Sequence, residues 1–311
     1  MSFLSRIDWF NHDGVNLGMI NDFMRNQFYD RVLSRYVAGQ RCTDIGFGTG
    51  LLSMLALKHG AEHVRAFESD ADRYLLGCEI VQRLGLGNKI DLINERYDNG
   101  YTTTPITFTE TVNGNLWWEG LWNSLPRDEK SIFLPGEYFL EIWALVVPNA
   151  FAQGIGIEEQ TNRVFAPGVD VDPQFVATVN ELICETADCI YQPMNLADLS
   201  SGIVQFDRQV GTVWNWVPYM RAVQAGKMVA SYVAQYHDDR DHFELNIPTG
   251  LWRNSTVLIV PRMGMQQDTD RLYLDTGHWG PGENPVLLVN PQGYLRVNHN
   301  VRNGLITYSM E

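Results

Sequence analysis

The run Asp44-Ile-Gly-Phe-Gly-Thr-Gly50 constrains this chain more than any other segment. Three glycines on alternate positions follow a short apolar stretch, Cys42–Ile45, and precede a helical apolar pattern, Leu51 to His59, that stops at Gly60. A strand, a tight turn and a helix in that order place backbone amides and a helix N-terminus at the carboxyl edge of a sheet. The glycines let the backbone come close to a ligand, and the helix start favours its negative groups.

The neighbouring segments extend this pattern. Val64–Phe67 reads as a second strand ending at Glu68, which stands 22 residues after Gly46. An acid at that point can accept hydrogen bonds from ribose hydroxyls. Asp70 is placed to cap a helix over 71–84, with Leu75, Leu76, Ile80, Val81 and Leu84 as its apolar stripe. Ile90–Ile93 and Ile106–Thr109 read as further strands. Alternation of strand and helix over 40–110 predicts a doubly wound, parallel α/β sheet. Upstream, Ile20, Phe23, Met24, Phe28, Val32 and Leu33 recur at helical spacing within 16–37, with Gly39 as the stop.

After Pro135-Gly136 the character changes. Tyr138–Val147 is a β-rich apolar run, and Lys227–Tyr236, Thr256–Val260, Arg271–Leu274, Val286–Val289 and Tyr294–Val297 follow, punctuated by Pro, Gly and Asn. A mostly antiparallel second domain is expected. One helix interrupts it, capped by Asp172, opened by Pro173 and striped by Phe175, Val176, Val179, Leu182, Ile183 and Ala187.

The glycine spacing bears on the ligand. A dinucleotide fingerprint has the form G-x-G-x-x-G; here Gly50 comes one place early and position 51 is Leu. That favours S-adenosylmethionine over NAD. The formal net charge of −14, with 23 Lys and Arg against 37 Asp and Glu, argues against nucleic-acid and membrane surfaces. It permits attraction of basic partners. Four cysteines without C-x-x-C spacing, no apolar leader and no apolar run of about 18 residues point to a reducing, cytoplasmic setting. The cluster His237-Asp-Asp-Arg-Asp-His242 reads as a solvated hairpin turn, not as a metal site, and no metal is expected.

Four segments together resemble the protein arginine methyltransferases, within the class I S-adenosylmethionine-dependent enzymes. The first is Met19-Ile-Asn-Asp22-Phe-Met-Arg25-Asn26 with Tyr29; the second is the glycine loop with Glu68. The third is Thr109-Glu110-Thr-Val-Asn-Gly-Asn-Leu-Trp-Trp118-Glu119-Gly120, similar to the family's double-glutamate loop and closest to the monomethylating, type III branch. The fourth is Thr276-Gly277-His278-Trp279, similar to a Thr-His-Trp loop but with Gly277 inserted. The branch has an acid where Asn113 stands, and Trp9 and Phe10 lie where the family has a Tyr pair.

The resemblance implies a fold, an activity and a set of roles. The fold is a Rossmann-like donor-binding domain over 39–135, after an N-terminal helical segment over 1–38. A β-barrel-like substrate domain over 136–311 follows, with a helical dimerisation arm within 151–200. The apolar face of the Asp172–Ile190 helix could equally pack internally. The activity is methyl transfer from S-adenosylmethionine to an arginine guanidinium in a basic protein or peptide, leaving S-adenosylhomocysteine, by a homodimer. Arg25 would hold the donor carboxylate. Asp44, Gly46, Gly48, Gly50 and Glu68 would bind the donor, with Tyr97 and Asp98 beside its adenine. Glu110 and Glu119 would clamp the guanidinium, whose fork of N–H donors two carboxylates can grip. His278 would pair with Asp22, and Trp118 and Trp279 would wall the site. Two other readings fit the glycine loop: a class I methyltransferase for a small molecule, and a donor-binding scaffold without catalysis.

Overall fold

The computed structural model describes residues 20, 23–98, 101, 104–110, 131–146, 168–183, 203–205, 226–235, 242–253, 255–274, 286–289, 291–300 and 305–311. Helix α1 (Phe23–Tyr36) comes first. Strand β1 (Arg41–Ile45), helix α2 (Leu51–Lys58), strand β2 (His63–Phe67), helix α3 (Ala71–Arg83), β3 (Ile90–Ile93), β4 (Ile106–Thr109) and β5 (Ile132–Leu134) follow. The five strands form one parallel sheet in the order β3-β2-β1-β4-β5. Its central strands β1 and β4 are buried along nearly all of their length, as a sheet flanked by helices requires.

Local chemistry explains the boundaries. Asp70 caps α3, its Oδ1 accepting from the amides of Asp72 at 3.0 Å and Arg73 at 2.9 Å. The apolar faces of α1 and α3 bury Phe28, Val32 and Leu33, and Leu76 and Ile80, in the core. Strand β5 was not legible beforehand because it is only three residues long.

The remaining elements are β6 (Glu137–Val146), α4 (Pro173–Ile183), β7 (Ile203–Gln205), β8 (Lys227–Gln235) and β9 (His242–Pro248). Then come β10 (Thr256–Gln267), β11 (Asp270–Leu274), β12 (Val286–Val289), β13 (Tyr294–Asn300) and β14 (Leu305–Met310). Among the described residues, these strands all pair antiparallel. One sheet runs β7-β12-β10-β6-β8 with β11 on β10, and a second runs β14-β13-β9. Strand β8 lies beside β9 and β7 beside β14. The expected barrel-like unit is thus two sheets meeting edge to edge, and no hydrogen-bonded ring closes among the described residues.

Helix α4 starts as its sequence dictates, with Asp172 Oδ1 accepting from Gln174 N at 2.9 Å. It packs against α3 of the same chain. Phe175, Val179 and Leu182 are buried, and Glu181 pairs with Arg83 of α3 at 2.9 Å. Of the two settings the sequence left open for this helix, its apolar face takes the internal one.

Helix α1 also touches the antiparallel part. Tyr36 donates to both carboxylate oxygens of Asp268, at 3.0 and 2.8 Å, and Arg35 pairs with Asp270 at 2.8 Å. Gln267 donates to the Tyr36 hydroxyl at 3.2 Å, and its Oε1 accepts from Gly136 N at 2.8 Å.

Candidate active site

The strand order reverses between β1 and β4, and ligands of such sheets bind in the crevice at that switch point. The register pairs Ile45 with Thr109. The glycine loop and Glu110 therefore leave adjacent strands side by side. Thr109 Oγ1 donates to the Ile45 carbonyl at 2.8 Å and locks the two ends together.

Glycine is required in the loop for two different reasons. Gly50 has φ 84°, and a Cβ there would lie 2.5 Å from the Phe47 ring. A Cβ on Gly77 would meet the same ring at 2.8 Å, so two glycines make the slot that Phe47 fills. Gly77 lies mid-helix, where glycine is otherwise unfavourable, and that is the signal sequence reading passed over. Gly48, with φ 55°, has nothing within 4 Å of its Cβ position and faces open space.

The acids around the loop are buried. Glu68 is 3% exposed and spans the turn: Oε2 accepts from Gly48 N at 2.9 Å and Oε1 from Asp70 N at 3.0 Å. Asn94 donates to the Glu68 carbonyl at 2.9 Å. Asp44 is 1% exposed and accepts from Ser53 Oγ at 2.6 Å through Oδ2, while Oδ1 has no partner among the described residues. Burial pushes its carboxyl up to about 7; the Ser53 hydrogen bond opposes the shift and the Glu68 charge adds to it. Ser53 was not singled out by sequence, although a serine nine residues beyond an acid on the first turn of the next helix is the available signal.

Helix α1 delivers Arg25, 2% exposed, into an ion pair with Glu110. The sequence reading gave these two residues separate ligands, and the structure puts them in contact. Glu110 Oε1 is buried and has no partner among the described residues. A carboxylate with one oxygen held and the other available can accept an N–H donor.

Tyr97 stands 3% exposed in an aromatic cluster, its ring 5.1 Å edge-on from Phe67 and 5.9 Å stacked on Tyr101. Asp98 beside it is exposed. Arg25, Asp44, Gly46, Gly48, Gly50, Glu68 and Glu110 are thus gathered at one sheet edge. Asp22, Trp118, Glu119, His278 and Trp279 lie outside the described residues, as do His237 to Asp241 of the charged cluster.

No family model matches the chain. Protein arginine N-methyltransferase 9 of Xenopus laevis is 30% identical over 164 residues, which is 49% of this chain and 20% of the relative. Protein arginine N-methyltransferase 7 of Drosophila persimilis is 39% identical over 85 residues, 25% of this chain and 12% of that protein. The chain thus spans a fifth or less of these relatives' length. A crystal structure of PRMT6 shares the fold at a TM-score of 0.53 and 11% identity, covering 94% of this chain and 96% of that one. Over up to half its length the chain is similar in sequence to protein arginine N-methyltransferases, and over nearly all of it the chain shares the fold of PRMT6.

Proposed function

We propose that the chain transfers a methyl group from S-adenosylmethionine to a guanidinium nitrogen of arginine in a protein or peptide. The observation that carries this is the placement of Glu110 beside the glycine loop across the β1/β4 switch point, in contact with Arg25. The open space at Gly48 and the unpartnered Asp44 Oδ1 are features a donor cradle would have.

When bound, S-adenosylmethionine supplies an electrophilic methyl group on a sulfonium and leaves as S-adenosylhomocysteine. Gly48 leaves room for it, Gly46 and Gly50 give the turn its positive φ, Glu68 braces the loop and offers its remaining lone pairs to ribose hydroxyls, and Asp44 stands at its head. Tyr97 and Asp98 are assigned to the adenine side by resemblance alone. Glu110, with Glu119, accepts guanidinium N–H groups and fixes which nitrogen faces the methyl. That is catalysis by orientation and charge placement. Arg25 serves both ends, as partner of Glu110 and as a cation for the donor carboxylate. His278 with Asp22 would close the site, and Trp118 and Trp279 would wall it.

The net charge of −14 supports a basic substrate. The resemblance supports a homodimer, the likeness of the double-glutamate loop to the type III branch supports a single methyl as product, and the cysteine usage supports a cytoplasmic setting. The test is mass spectrometry of arginine-rich peptides after incubation with the protein and labelled donor. Methylarginine is expected. Glu110→Gln should lower turnover by roughly 100-fold or more while the donor still raises the melting temperature. Full activity in that variant removes the clamp assignment, and absence of any donor-induced shift removes the cofactor.

A further inference from the structure

We infer that Tyr29 is the positioning residue of this site, fixing the carbonyl from which Glu110 is hung and flooring the guanidinium that pairs with it. The inference rests on the methyl-transfer reading above for what that placement serves.

Tyr29 is fully buried on α1, one turn after Arg25. Its hydroxyl lies 2.8 Å from the carbonyl oxygen of Thr109 and 3.4 Å from Met265 Sδ. With one proton to give, the phenol donates to the closer carbonyl, and the sulfur lies alongside. Burial holds the phenol far above its usual range, so it stays a donor at every working pH. The Thr109 carbonyl belongs to the peptide unit that carries Glu110. The same residue is tied on its other side, through Oγ1, to the Ile45 carbonyl.

Three things are thereby set by one ring. The end of β4 is held against α1. The Arg25 guanidinium carbon stands 6.0 Å from the Tyr29 ring centroid, at the outer limit of a cation–π contact. The Met265 contact carries the reference point into β10 of the antiparallel part. Phe28, edge-on at 5.4 Å and 78°, stiffens the ring in turn. A residue that only filled the core would need the ring and not the hydroxyl.

Tyr29→Phe keeps the ring and removes the hydroxyl. Turnover on an arginine peptide is expected to fall about tenfold, the scale of a sub-ångström misplacement of a reacting group, with donor affinity within about threefold and amide hydrogen exchange across 106–110 accelerated. Unchanged exchange overturns the inference whatever turnover does, and faster exchange with unchanged turnover overturns it as well. If the parent protein methylates no arginine peptide, the functional reading fails by itself. The exchange measurement then still decides the placement: acceleration upholds it and equal rates overturn it.

Discussion

Ser53 Oγ donates to Asp44 Oδ2 at 2.6 Å, and that is the hydrogen bond given to a carboxyl otherwise enclosed by protein. Burial raises this carboxyl from 3.8 to about 7. The folded chain therefore keeps a proton that the unfolded chain releases between those values, so its stability falls as pH rises across that window and levels off above it. Relative to Asp44→Asn, the native chain should lose on the order of a few kcal/mol between pH 4 and pH 8. Chemical denaturation of both proteins at several pH values measures this; parallel pH profiles would remove the assignment. Ser53→Ala removes the bond that favours the charged form and should shift the transition to higher pH.

Gly48 and Gly50 separate two reasons for a glycine. Gly50→Ala drives a methyl group into the Phe47 ring at a positive φ, and should cost roughly 2 kcal/mol or more of stability. Gly48→Ala meets no atom, so its stability cost should stay near the roughly 1–2 kcal/mol of left-handed backbone. Its methyl group points into the space assigned to the donor, and donor-induced thermal stabilisation should vanish. Melting curves with and without S-adenosylmethionine distinguish the two.

Phe175 tests the seat of α4. Its ring is fully buried, on a helix that packs against α3 of the same chain. Phe175→Ala should lower stability by about 3–5 kcal/mol, the range for an aromatic core truncation, at every protein concentration. A loss that varies with concentration, followed by denaturation and gel filtration together, would show that the ring is covered by a second copy.

At the turn between β10 and β11, Asp268 has φ 53° and accepts from Tyr36. Asp268→Asn keeps both an acceptor and a residue that tolerates this conformation, and should change stability by less than about 0.5 kcal/mol. Asp268→Ala loses both and should cost about 1–2 kcal/mol. The partly exposed pairing with Arg35 at 3.5 Å adds little, and 1 M salt should remove that share.

The parallel sheet was legible because each of its signals is local. Asp70 caps where a cap was expected, and the glycines stop helices where their positive φ requires it: Gly39 at 69° and Gly60 at 89°. The antiparallel part hid its lengths. The apolar run Thr256–Val260 breaks at Pro261, yet β10 continues to Gln267. Along one edge β12 pairs up to Ile259 and β11 begins at Met263, so Pro261 falls between the two ladders, where no amide is needed. Strand β9 was passed over because its polar alternation follows a run of charges, and β7 because three residues carry no period. The ion pair of Arg25 with Glu110 joins residues 85 positions apart, which spacing along the chain cannot reveal.

The contacts from α1 to Met265, Asp268 and Asp270 set an order of events during synthesis. Tyr29 and Tyr36 leave the ribosome more than 230 residues before their partners, Met265 and Asp268. The parallel sheet can assemble while α1 still shows the face that β10 and β11 will cover. Completion of the Arg25 end of the site thus waits for the late-made hairpin, and a nascent chain stalled before residue 265 would carry the glycine loop without the β10 and β11 contacts that hold α1.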